Sequence, residues 1–356
     1  MNIAIIGFTK IKYMPYLNFY LDNLDKKKHM ISIFYWERDS TGDVSLPSEF
    51  RTYPFKFSQD DNVPKYKKIK GFIAFRRNVI SFLKKGNYDK IIVLSTYPAL
   101  LLSNLLLKQY RKRYIFDFRD LTFEGYSFFR MLVGRLVRGA EATFVSSHGF
   151  LKYLPNERIF ITHNLPSERH AYDIVPNDHT ADPIRIRYWG LIRDLDINKQ
   201  IIHHLCNDTR YELHYHGREQ SIAIKLKECC EQSNAQNVFF HGEYSPDEKL
   251  VFAVSSDIIL NMYSNNVLLA PAMGNKYYDG MVFRLPQICT IDTLMGKCVE
   301  EHGIGITLNP ADDSFAERIY RYYYGINWEE FYSNCESTLS SVKNENGIAR
   351  NYVNRI

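Results

Sequence analysis

Short apolar runs that alternate with helical stretches along the whole chain constrain its fold more than any other feature. Ile3–Gly7, Met30–Trp36, Lys90–Ser95, Arg113–Phe118, Glu141–Ser146 and Ile159–Thr162 form a first series. Ile184–Gly190, Tyr211–Gly217, Asn237–Gly242, Asp257–Met262, Pro286–Ile291 and Gly305–Leu308 form a second. The runs of the first series are apolar rather than alternating, as strands covered on both faces must be, and helix-forming stretches separate the runs in both series. The pattern predicts parallel sheets in a doubly wound α/β architecture, with ligands outside the C-terminal ends of the strands. Helices are expected from Leu17, over Lys65–Lys85 with Ile69, Phe72, Ile73, Arg76 and Ile80 at helical spacing, over Pro98–Tyr110 and Phe128–Val137, and again between the later strands.

The alternation lapses once, where Pro166, Pro176 and Pro183 punctuate a polar stretch. With 356 residues, the chain is too long for one core. Two domains follow, 1–170 and 184–335, joined by a linker at 171–183 and followed by a tail at 336–356. A net charge of +5 suits anionic ligands or an anionic membrane surface and is too weak for a nucleic-acid binder. The six cysteines show no C-x-x-C and no His at metal spacing, so reduced thiols in a cytoplasmic protein are expected. Met1–Gly7 is too short for a signal-peptide core, and the apolar Tyr97–Leu107 stretch is interrupted by Ser103 and Asn104.

Chemistry-bearing residues gather where strands end. Gly190 is followed by Arg193 and Lys199 around the start of a helix, a planar fork and a point charge suited to a pyrophosphate. Gly217 with Arg218, and Gly242 with Glu243 and Tyr244, close two neighbouring strands. The stretch Tyr263–Arg284 runs from a strand through a loop into Asn275, Lys276, Tyr277 and Asp279. A helix beginning there offers free N–H groups and partial positive charge to an anion. Lys276 would add charge for a phosphate, and Asp279 an acceptor for sugar hydroxyls. The same residues read equally well as a helix cap with solvated charges. In the first half, Gly7 closes the first strand, and Asp117, Arg119 and Asp120 close another. Asp120 or Asp117 would orient a hydroxyl and share its proton, with Arg119 holding the carboxylate charged. The alternative is an Asp–Arg pair that holds a loop. Glu124 and His148 follow in the same region.

Together these stretches resemble the GT-B glycosyltransferases, most of all the bacterial retaining enzymes of family 4 that build surface polysaccharides. The matching segments are Tyr188–Arg193 with Lys199, Tyr215–Arg218, Asn237–Glu243, Asn275–Asp279 and Gly303–Ile306, with Phe116–Leu121 and Val145–Phe150 on the acceptor side. The resemblance implies two Rossmann-like domains facing each other across a cleft, the second binding a nucleotide-sugar, with a lean towards UDP over GDP. It implies that Arg193 and Lys199 take the diphosphate and help it leave, without a metal or other cofactor. Asp279 matches the second acidic position of the family's E-x7-E motif and would hold the ribose. The first acidic position is missing, since Ala270, Pro271 and Ala272 stand there.

The implied acceptor is a growing polysaccharide or a saccharide on a polyprenyl diphosphate. The basic clusters Lys65–Lys70 with Arg76 and Arg77, and Phe128–Arg138, would then rest on the inner face of the membrane. In this fold the last helix returns to the first domain, where Tyr352 and Val353 would dock. A nucleotide-sugar 2-epimerase shares the architecture, and a non-catalytic nucleotide-sugar binder in polysaccharide assembly would tolerate the missing acid.

Overall fold

A computed structural model describes residues 1–59, 64–122, 126–166 and 182–356. Most of the expected linker and Glu124 lie outside the described residues. The chain divides into two compact units, Met1–Asn164 with Asn344–Ile356, and Leu165–Lys343.

The first unit contains β1 (Asn2–Ile6), α1 (Leu17–Asn23), β2 (Met30–Glu37), β3 (Arg51–Lys56), α2 (Ile69–Gly86), β4 (Lys90–Leu94), α3 (Thr96–Leu101) and α4 (Ser103–Gln109). It continues with β5 (Tyr114–Phe118), α5 (Ser127–Gly139), β6 (Ala142–Val145) and β7 (Ile159–Ile161). Its sheet runs β3-β2-β1-β4-β5-β6-β7 with every pair parallel. The order reverses between β1 and β4, which places a crevice at the ends of those strands.

Two sequence expectations change here. β3 is an additional strand, and it escapes the apolar-run criterion because it sits at the sheet edge. Its residues alternate between exposed and half-buried, and Pro54 is tolerated since an edge strand leaves one row of N–H groups unpaired. Helix α2 buries Gly71, Phe75, Val79 and Leu83 instead of the face carrying Ile69 and Ile73, which are exposed. Gly71 sets that rotation: a Cβ there would lie 2.7 Å from the Trp36 ring, so only glycine lets the helix settle onto the tryptophan.

The second unit contains β8 (Ile184–Trp189), α6 (Leu195–Leu205), β9 (Tyr211–His216), α7 (Ser221–Gln232), β10 (Val238–Phe240), α8 (Pro246–Val254) and β11 (Ile258–Asn261). It ends with α9 (Asn275–Val282), β12 (Gln287–Thr290), α10 (Leu294–Glu301), β13 (Gly305–Leu308), α11 (Phe315–Tyr324) and α12 (Trp328–Val353). This sheet is also all parallel, in the order β10-β9-β8-β11-β12-β13. The reversal falls between β8 and β11. Helix α12 starts in the second unit, and its last turns belong to the first. There Ala349 and Val353 join the core, and the Tyr352 ring packs 4.7 Å from Phe160.

One face of the second sheet is unusually polar. His214, His216 and His241 stack across β9 and the end of β10, with His216 and His241 ring centres 4.2 Å apart and His216 4.0 Å from Phe252 of α8. Burial, with Arg187 and His241 beside them, lowers His214 and His216 to about 3. Glu212 Oε2 lies 3.2 Å from His214 Nε2 and does not reverse that. Both rings are neutral when folded and take up a proton near pH 6.5 when unfolded. Stability therefore falls as pH drops from about 6.5 towards 3, at up to ~1.4 kcal/mol per pH unit for each ring. Urea unfolding at pH 7, 5 and 4 should show a shallower loss for His216→Phe, which keeps the stack and removes one titrating group.

Candidate functional site

The strand ends beside the second reversal hold most of the predicted donor-side residues. After β8 the chain turns at Gly190 and enters α6 through Arg193 and Asp194. This loop is pinned from several sides. The Tyr188 hydroxyl donates to Leu191 O at 2.5 Å. Buried Asn198 donates to Arg193 O at 2.6 Å and to Asp194 O at 3.1 Å, while accepting from the Tyr215 hydroxyl at 2.9 Å. Asp194 adopts φ +61° as its carboxylate accepts from Ser264 Oγ at 2.6 Å. Gly217 closes β9 so tightly on this loop that a Cβ would meet Gly190 O at 1.8 Å. Gly217 N donates in turn to Gly242 O at 2.7 Å. The three glycine turns thus form one continuous rim.

Lys276 lies beneath that rim, buried on α9. Its Nζ donates to Trp189 O at 3.3 Å and to the Tyr263 hydroxyl, and sits 3.8 Å from the centre of the Tyr188 ring. Burial, and then Arg193, push its pKa well below the ordinary lysine value. The Arg193 guanidinium is exposed and lies 5.6 Å from the Tyr263 ring centre; Lys276 Nζ lies 4.6 Å from the same centre. Two cations therefore share one tyrosine, and among the described residues neither forms an ion pair. The N-cap of α9 is Gly274, which has no side chain with which to cap the helix. Lys199 is exposed on α6. Cations that form no ion pair among the described residues, beside the N-terminus of α9, can receive an anion in addition to the charge of Asp279 and Asp194.

The other donor-side calls divide. Arg218 and Glu243 approach each other at 4.0 Å on the rim, and Asn275 is exposed at the start of α9. Tyr244 packs edge-on to Phe252, its pKa raised to about 12 by burial and by Asp279. Tyr277 is corrected to a core residue: it is 2% exposed and its hydroxyl lies 3.1 Å from His302 Nδ1. Asp279 is buried too. Its Oδ2 accepts from Trp189 Nε1 at 2.8 Å, and its Oδ1 pairs with Lys249 at 2.6 Å. Sequence reasoning missed Lys249, and it included Tyr188, Trp189 and Tyr263 in its stretches without giving them a place in the site. Their signal is a position at a strand end or one helix away, without any charge pattern of its own.

In the first unit, Asp117 is fully buried. Its Oδ2 accepts from Arg119 Nη2 at 2.7 Å and from the Tyr20 hydroxyl at 2.8 Å. Arg119 also donates to Asn164 Oδ1 at 3.0 Å. Of the two readings, the pair that holds a loop is the one seen, and Asp117 has no surface with which to touch an acceptor. Asp120, three residues further, is exposed. Gly7 is buried, with Met14 packed against it. His148 does not stand alone: it meets Glu345 together with His163.

No protein-family model matches the sequence, and no curated protein matches it. Solved structures do match over essentially the whole chain. The sucrose-phosphate synthase of Thermosynechococcus elongatus has a TM-score of 0.76 at 14% identity, covering 99% of this chain and 98% of that one. Anabaena HepE in complex with UDP and glucose has a TM-score of 0.71 at 12% identity over 100% of both chains. The apo form of the lipopolysaccharide outer core galactosyltransferase WaaB has a TM-score of 0.67 at 15% identity over 99% of each. Identities this low establish a shared fold. The chain has the GT-B fold, built of two parallel-sheet, Rossmann-like α/β domains.

Proposed function

We propose that the chain is a glycosyltransferase whose second unit binds a nucleoside-diphosphate sugar. The observation that carries this reading is the sharing of Tyr263 by Arg193 and Lys276, two cations without ion pairs at the ends of β8 and α9. A diphosphate placed there would be met by a guanidinium fork, an ammonium and helix N–H groups, with Lys199 one turn along α6. Its charge would be balanced by side chains rather than by a metal. Such groups stabilise a leaving diphosphate most where they are already oriented and partly shielded from water.

Three finer points belong to the same proposal. The sugar donor carries UDP, which is supported by the UDP and UDP-glucose complexes of HepE, a protein of the same fold. Transfer proceeds with retention, and exposed Asp120 orients the acceptor hydroxyl. The acceptor is a polysaccharide or a lipid-linked saccharide at a membrane surface. Support for the surface comes from Tyr126, Phe128 and Met131, all exposed beside Arg130, and from Tyr66, Ile69 and Ile73, exposed along a lysine-rich segment. No helix among the described residues is long and apolar enough to cross a membrane.

A non-catalytic nucleotide-sugar binder is the second reading, favoured by the absence of a carboxylate at Ala270–Ala272. Donor hydrolysis or transfer that disappears in Lys199→Ala would set it aside.

The direct test is thermal unfolding with UDP, GDP and CMP. A ligand at a hundredfold over its Kd adds about 2.7 kcal/mol of stability. We expect a shift with UDP that is lost in Arg193→Ala, whose exposed side chain can be removed without opening the core. No shift with any nucleotide would overturn the donor-site reading.

A further inference from the structure

The first unit holds a convergence of ligand atoms that the donor site does not use. β6 and β7 are parallel neighbours, so the residues beyond their C-terminal ends emerge on the same side of the sheet. Beyond β6, Ser147 Oγ accepts from Gly149 N at 3.1 Å and sets the turn that carries His148. Beyond β7 comes His163. The last turns of α12 pack on this unit, and Asn346 grips the backbone of His163 twice. Its Oδ1 accepts from His163 N at 2.7 Å, and its Nδ2 donates to His163 O at 3.3 Å. Glu345, the preceding residue on the helix, is thereby held against both imidazoles. His163 Nε2 lies 2.6 Å from Glu345 Oε2, and His148 Nε2 lies 2.9 Å from the same oxygen and 3.1 Å from Oε1.

We propose that His148, His163 and Glu345 form a binding site for a divalent transition-metal ion of the zinc type, which fastens the end of α12 to the first unit. The three ligand atoms lie within 4.8 Å of one another. Two imidazole nitrogens and one carboxylate are a donor set that zinc takes at about 2.0–2.2 Å, with a fourth position left for water. Nitrogen ligands disfavour magnesium and calcium, which take oxygen. In a tetrahedral shell of that bond length neighbouring ligand atoms stand about 3.4 Å apart, so binding an ion draws the Glu345 oxygen back from both nitrogens by about half an ångström or more. His148 is half exposed, giving both an entry path and room for the fourth ligand. Asn346 supplies the support behind the ligands that fixes their approach.

The test uses the full chain, stripped of metal by chelator and dialysed, then titrated calorimetrically with zinc chloride and separately with magnesium chloride. Thermal unfolding is followed in parallel. The expected result is one zinc ion per chain, a Tm that rises with zinc concentration, and no response to magnesium. Loss of residues that merely support a ligand weakens metal binding about 10–100-fold. His148→Ala and Glu345→Gln should therefore each raise the zinc Kd at least about tenfold. His148→Ala removes an exposed side chain, so its folding is not in question. Absence of saturable zinc binding, or an unchanged Kd in either variant, would overturn the proposal. The nucleotide titration plays no part in this readout, so the donor-site reading and the metal site stand or fall separately.

Discussion

Lys276→Met is expected to leave the empty protein at least as stable as the wild type while removing its stabilisation by a nucleoside diphosphate. The lysine is buried between Tyr188 and Tyr263, bonded to one carbonyl and one hydroxyl, with Arg193 opposing its charge. Replacing buried ionic groups by apolar ones of similar volume is often neutral or stabilising by about 1–4 kcal/mol. Cation–π contact with two tyrosines offsets part of that, at up to ~2 kcal/mol for a desolvated cation. The lower end, about 1 kcal/mol, is therefore the expected gain. A bound diphosphate reverses the balance by adding negative charge to that of Asp279 and Asp194. A charge-assisted hydrogen bond contributes about 1.5–3 kcal/mol, so the Kd for the diphosphate should rise roughly 10–150-fold in the variant.

The pH dependence has a definite sign. The ammonium is disfavoured in the folded chain, so between its depressed folded pKa and the ordinary value of 10.5 the unfolded chain binds the extra proton. Wild-type stability then rises with pH across that interval relative to Lys276→Met, and the gap between them narrows. Urea unfolding of both proteins over the alkaline range, with and without UDP, measures all three quantities. A variant that unfolds more easily when empty and still binds UDP as the wild type does would remove Lys276 from the site.

The second large effect separates two neighbouring carboxylates. Asp117→Asn should cost about 3–5 kcal/mol, because it leaves the buried Arg119 without its counter-charge and weakens the acceptor of the Tyr20 hydroxyl. Asp120→Asn should leave stability within about 0.5 kcal/mol, since the side chain is exposed. It should instead lower kcat by about a hundredfold if it shares the acceptor's proton. Denaturant unfolding and donor-to-acceptor transfer rates, measured on both variants, distinguish the two. Equal loss of stability in both would show that Asp120 is also part of the loop support.

What the sequence determined by itself was the architecture. A strand buried on both faces must be apolar along its length, and that requirement is written locally in Ile3–Ile6, Ile91–Leu94 or Ile258–Leu260. Alternation with helices then leaves little choice but parallel, doubly wound sheets. The glycine turns and charges at the strand ends were legible for the same reason, since each lies within a few residues of its strand. β3 was not, because an edge strand is half solvated and its pattern weakens accordingly.

Tertiary structure decided everything that joins residues far apart in the chain. Arg193 and Lys276 belong to different strand–helix connections, and only the adjacency of β8 and β11 brings them to one tyrosine. Asp279 reads as an exposed helix carboxylate until Lys249 and Trp189 are folded onto it. Asp117 and Asp120 look alike in sequence, and burial alone assigns one to the core and the other to the surface. Glu345 meets His148 and His163 only because α12 ends on the first sheet. Local patterns record which face of an element is dry. They do not record which distant side chain will occupy it, because that depends on the order in which strands pair.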